Sequence, residues 1–100
     1  MRQFSTICQK MDAIQEGNGT LLDNMMFTYG SGLSSGMLHE YTNLPTVIAG
    51  SAGGQLKTNR YDQHAKGTPI ANLWVSMAQA MGCPIKQLGD STGTLKGFLA

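Results

Sequence analysis

MMFTYGSGLSSGMLHEYTNLPTVIAG, Met25 to Gly50, holds two short apolar runs separated by a long polar loop. The runs, Met25–Tyr29 and Thr46–Ala49, are rich in aromatic and β-branched residues and are punctuated by Gly30, Pro45 and Gly50. Apolar runs of that length, lacking helical spacing, predict strands buried on both faces, the parallel-type arrangement of a helix-covered sheet. Between them Gly30-Ser31-Gly32 opens a loop that carries His39, Glu40 and Asn43. Loops leaving the end of a buried strand are where α/β proteins place their chemistry. This one runs for roughly 15 residues without helical periodicity, a length that marks a functional or binding loop.

Upstream, Phe4, Ile7, Cys8, Met11 and Ile14 recur at the spacing of one helical face, with Gln3, Gln9, Lys10, Asp12 and Glu16 opposite. Gly17 is expected to end this helix in a left-handed C′ position, followed by a turn at Asn18-Gly19. No capping residue precedes the helix. Downstream, Gly50-Ser51-Ala52-Gly53-Gly54 is too glycine-rich for regular structure. Gln55–Thr58 reads as a short edge strand, and Asn59–Gly67 as exposed polar chain. Thr68 and Pro69 then form the cap and first-turn pair of a second helix. Its apolar stripe is Ile70, Leu73, Trp74, Met77 and Met81, and Gly82 and Pro84 stop it. The turn formers after Gln87 predict a tail packed on the rest. Helix, strand, loop, strand, helix is an α/β order.

Composition narrows the function classes. Charged residues make up 13% of the chain, against roughly 25% in ordinary soluble domains, while hydrophobic residues reach 41%. Thirteen glycines and seven methionines fill part of the difference. A surface so poor in charge predicts that neighbouring protein covers it, and that the 100 residues are a segment of a larger domain. The net charge of +1, with its lysines and arginines scattered, gives no footprint for nucleic acid. No apolar run reaches the length of a membrane span. Cys8 and Cys83 lie far apart with no metal-ligand spacing, and Cys8 reads as a small apolar residue of the first helix.

Three motifs bear on chemistry. Gly30-Ser31-Gly32 begins a dinucleotide fingerprint, but Ser35 stands where its third glycine belongs and no helix pattern follows. Gly32-Leu33-Ser34-Ser35-Gly36 matches a nucleophile elbow, with Asp62 and His64 as an acid and base in the right chain order. An elbow needs a strand-to-helix turn, which the sequence after Gly36 does not offer. His39, beside Glu40, is the candidate metal ligand, although zinc requires three or four donors. The competing reading of His39 is a loop residue that pins irregular backbone.

Taken together, residues 16–32, the His39–Pro45 run, residues 48–54, residues 68–82 and residues 89–97 resemble, in order, the C-terminal part of a bacterial family. It is the family catalogued as domain of unknown function 1552. Its members run to several hundred residues and often carry an export signal. The resemblance therefore implies an exported or periplasmic parent protein, with the N-terminal portion of that parent as the partner of this segment. That family is in turn distantly similar to the alkaline phosphatase and sulfatase superfamily. This implies a C-terminal piece of a three-layer alkaline-phosphatase-like fold, with His39 at a metal-ligand position ahead of Leu44-Pro45. The chain departs from the superfamily where Gly30-Ser31-Gly32 replaces the usual Asp-His pair. The expectation is a mainly structural or ligand- and partner-binding segment without autonomous catalysis, with Ser31, His39, Glu40 and Asn43 in the binding loop. The alternative is the C-terminal portion of a hydrolase of phosphate or sulfate esters, dependent on zinc or another divalent metal.

Overall fold

The computed structural model describes residues 1–40 and 42–99. In chain order it contains α1 (Arg2–Asp12), β1 (Gln15–Glu16), β2 (Gly19–Thr20), a 3-10 turn (Leu22–Asn24), β3 (Phe27–Gly30), β4 (Thr46–Ala49), a second 3-10 turn (Ala52–Gly54) and α2 (Ala71–Ala80). The class is mixed helix and strand, and both sheets are small, two-stranded and antiparallel.

α1 ends at Ala13, earlier than Gly17, because the chain at once reverses into the hairpin β1–β2. Gly17, at φ 59°, is the first central residue of that hairpin's turn, where a left-handed glycine matches the strand twist. It is not a helix cap. Thr20 and Asp23 then lock the next turn reciprocally. The Thr20 N–H donates to the Asp23 carboxylate at 2.9 Å, and the Asp23 N–H donates to the Thr20 hydroxyl at 3.3 Å. The Asn24 side-chain amide donates to Glu16 at 2.8 Å and ties the hairpin to this turn.

β3 and β4 form where the sequence predicts strands, but their sense is antiparallel. Phe27 faces Ala49, Thr28 faces Ile48, Tyr29 faces Val47 and Gly30 faces Thr46. The reason lies in the connection. A parallel crossover needs a helix to carry the chain back, and the described part of residues 31–45 has none. Nor are the strands buried on both faces throughout, since Tyr29 is 46% and Val47 42% exposed. The parallel sheet and the three-layer architecture expected from the sequence are therefore replaced, in this chain, by an antiparallel ribbon.

The two faces of the ribbon nevertheless both meet helices. Residues opposite one another share a face, so Phe27, Ala49, Tyr29 and Val47 lie on one side. There Phe4 of α1 stacks on Phe27 (centroids 5.0 Å, interplanar angle 5°) and tilts against Tyr29 at 5.5 Å. Phe4 is the one buried residue of α1, and Ile7 and Ile14 of the predicted stripe are exposed. On the other side Ile48, with Met26, packs against the core cluster Leu56, Leu73 and Phe98, joined by Ile70, Met77 and Leu95.

α2 starts two residues later than the Thr68–Pro69 signal. The Thr68 hydroxyl donates to the Ala65 carbonyl at 2.7 Å and caps nothing, although the Asn72 N–H already turns back to the Pro69 carbonyl at 3.1 Å. The helix is also rotated from its predicted stripe. Leu73 and Val75 are buried, but so are Asn72 and Ser76, while Trp74 is 36% and Met81 64% exposed. Trp74 is thus not a core residue.

The polar pair is explained by the C-terminal strap, residues 88–99. Asn72 both donates to the Thr92 hydroxyl (3.1 Å) and accepts from the Thr92 N–H (2.8 Å). The Ser76 hydroxyl donates to the Asn72 carbonyl and accepts from the Leu95 N–H, at 2.9 and 2.8 Å. These bonds leave no described buried side-chain polar atom unpartnered. Farther along, Phe98 enters the core, Leu56 bridges to Leu99, and the Arg60 guanidinium donates to the carbonyls of Gly97 and Phe98.

Candidate functional site

The candidate loop, residues 31–45, is built by its serines. The Ser31 hydroxyl accepts from the Leu33 N–H at 3.1 Å, and the Ser35 hydroxyl accepts from the Leu38 N–H at 3.3 Å. Both are local side-chain-to-backbone turns of the kind serine favours. The Ser34 N–H donates to the Glu40 carbonyl at 2.8 Å, and Ser35 and Glu40 pair as an antiparallel bridge. The chain therefore pinches at 34–35 and 40, and pushes Gly36–His39 out as a turn. At its tip Met37 is 91% and Leu38 68% exposed.

The predicted site residues occupy this loop as follows. Ser31 is exposed, and its hydroxyl is engaged in shaping the loop. His39 and Glu40 are adjacent and exposed at the base of the turn, and Asn43 is exposed beyond them. Tyr41 lies outside the described residues. His39 (φ 52°) and Asn43 (φ 54°) both take the left-handed conformation. Asn and His enter this region more readily than most residues, yet each does so at a cost that glycine does not carry. His39 therefore turns the backbone through its own left-handed φ as the chain leaves the turn. Among the described residues no group of three or more His, Cys, Asp or Glu side chains could hold a metal ion.

The strain at His39 gives a testable outcome. His39→Gly is expected to raise stability by up to about 1 kcal/mol, because glycine removes the left-handed penalty and adds back part of it as unfolded-state entropy. Excess zinc is expected to leave the urea midpoint of the parent chain unchanged. A zinc-dependent rise that His39→Ala abolishes would instead make His39 a ligand.

The elbow reading meets a different geometry. Ser34 sits at the pinch of the loop, on no strand-to-helix turn, with its hydroxyl 3.4 Å from the Glu40 carbonyl. Asp62 pairs with Arg60 at 3.3 Å, within the clamp on the C-terminal strap. His64 is exposed. Cys8 and Cys83 are both free thiols. No described helix is long and apolar enough to cross a membrane.

Two features escaped the sequence reading. One is the exposed apolar pair Met37-Leu38, placed in a loop that the sequence marked by its Gly, Ser and polar residues. The other is an open depression of about 260 Å³ beside the strap, lined by Ser76, Gln79, Thr94 and Lys96 among others. Asn72 and Ser76, one helical turn apart within an apolar pattern, were the signal for the strap contact. The chain matches no family model, no curated protein and no solved structure.

Proposed function

We propose that this chain is a structural, protein-binding segment whose apolar surface is covered by a further protein body, the N-terminal portion of a parent polypeptide. The observation that carries the reading is the amount of surface left open. The accessible area is 7192 Å² for 10.7 kDa. A folded monomer of that mass exposes about 5,500 Å² by the usual mass scaling. The excess of about 1,700 Å² falls within what one partner contributes to a large obligate interface. The radius of gyration, 14.5 Å, likewise exceeds the roughly 13 Å of a compact chain this long.

Large apolar side chains stand on that open surface. Among the described residues Phe4, Leu56, Leu73, Val75 and Phe98 are the large apolar side chains that are buried, while twelve others are exposed. Trp74 and Met81 on α2 and Met37 and Leu38 at the loop tip are among them. Aromatic residues and methionines are what the desolvated centres of protein interfaces are enriched in. The resemblance to the domain-of-unknown-function 1552 proteins names a body of the right kind, the larger part of the same polypeptide.

The test is the chain by itself. It is expected to bind the apolar dye ANS and to unfold over a broad range, since much of its apolar surface is uncovered. A sharp cooperative transition with no dye binding would overturn the reading.

A further inference from the structure

The β1–β2 hairpin leaves one reactive side chain unprotected. Asn18 is the second loop residue of its turn, is exposed, and is followed by Gly19 at the start of β2. An asparagine amide is open to attack by the backbone nitrogen of the next residue, and a side chain on that residue shields it. Gly19 supplies no shield.

The glycine is dictated by the turn that follows. A Cβ built at Gly19 would stand 2.6 Å from Oδ2 of Asp23. That oxygen accepts the Thr20 N–H at 2.9 Å, so it cannot give way without breaking the lock between Thr20 and Asp23. The lock therefore enforces the labile Asn-Gly pair. The other asparagines are placed differently. The Asn24 and Asn72 amides are engaged, by Glu16 at 2.8 Å and by the Thr92 hydroxyl at 3.1 Å. Asn43 and Asn59 are exposed, but Leu44 and Arg60 follow them.

The hairpin itself offers little restraint. Attack requires the Gly19 nitrogen to leave the ladder. That ladder has two residue pairs, Gln15 with Thr20 and Glu16 with Gly19, and both residues of β1 are exposed. Two-stranded ribbons so short are marginal in water and open locally.

We infer that Asn18 is a site of spontaneous modification, through which the chain converts irreversibly to aspartate and isoaspartate at this position. The Gly19 nitrogen bonds to the Asn18 Cγ and loses its proton, while the Cγ–Nδ2 bond breaks and ammonia leaves. Water then opens the five-membered imide at either carbonyl, giving the two acids. Both products weaken the hairpin. Each adds a carboxylate to an element that already holds Glu16, and Asp12 and Asp23 bond to the neighbouring Thr20. The segment between Lys10 and Lys57 contains no lysine or arginine to offset the added charge. Isoaspartate also carries the backbone through an extra carbon, so the two-residue loop no longer sets the register of β1 on β2.

Ageing the 100-residue chain at mildly alkaline pH, with peptide mapping by tandem mass spectrometry, locates the change. Acid is expected at position 18 before positions 24, 43, 59 and 72, at a rate that rises with hydroxide concentration. A capped peptide of residues 15–20 gives the rate without the fold, and the chain is expected to react within about tenfold of it. The Leu21 N–H, which donates to the Ile14 carbonyl at 2.8 Å beyond the ladder, reports on the hairpin. Its protection from hydrogen exchange is expected to fall by on the order of tenfold in the aged chain. Asn18→Gln, whose longer side chain closes a ring far more slowly, should age without that loss. Earlier conversion at another asparagine, reaction more than about tenfold slower than in the peptide, or full Leu21 protection after conversion would overturn the inference.

Discussion

Phe98→Ala is expected to remove most of the stability of this chain. Phe98 is one of three residues that form the buried cluster, with Leu56 and Leu73, and it arrives there from the far end of the sequence. Truncating a buried phenylalanine costs about 3–5 kcal/mol, the sum of lost transfer free energy and an unfilled cavity. A 100-residue chain with this much uncovered surface has little more than that in total. The strap amplifies the effect. The Arg60 clamp and the Leu56–Leu99 bridge hold backbone that Phe98 anchors, so losing the ring frees the whole end of the strap. Urea unfolding followed by far-UV circular dichroism reads the change, with Leu99→Ala, an exposed neighbour, as the control. A shift below about 1 kcal/mol at Phe98 would show that the strap is not part of the core.

Gly50→Ala is the second large effect, and its cause is backbone rather than side chain. Gly50 leaves β4 at φ 101°. A Cβ built there would stand 2.2 Å from the Met25 carbonyl oxygen and 2.5 Å from that of Leu22. Both are main-chain atoms, fixed by the Met25 N–H to Leu22 bond at 3.1 Å and by the Ala52 N–H to Met25 bond at 3.1 Å. Neither can swing aside as a side chain would. Left-handed strain of about 1–3 kcal/mol and overpacking of about the same size add to about 2–6 kcal/mol. Gly54→Ala separates the two contributions. Gly54 also has positive φ, at 94°, but open space at its Cβ, so only the strain remains. Equal costs at the two positions would mean that the close approach of β4 to residues 22–25 is loose.

Both predictions concern features that local sequence signals announce only in part. The glycines of residues 50–54 were legible as irregular chain, but nothing in them says which backbone Gly50 must touch. Likewise the candidate loop was legible in position and length, and its serines are the residue type that builds such turns. That His39 takes a left-handed backbone, and that Met37-Leu38 stand outward, depends on the pairing of Ser35 with Glu40 across the turn.

The sequence by itself determined roughly where the elements lie: a helix before Gly17, strands near 25–29 and 46–49, and a helix closed by Gly82. Apolar spacing, β-branching and the glycine and proline stops act over a few residues, and they need no tertiary partner to be read. The tertiary structure alone decided the antiparallel sense of the ribbon and which side of α2 is buried. Spacing treats Trp74 and Leu73 alike, because it records only that apolar residues recur. Asn72 and Ser76 face inward because a strap some twenty residues later brings backbone groups that only they can satisfy. The need to pair those buried groups outweighs the gain from burying Trp74, and that balance is set by a contact distant in sequence.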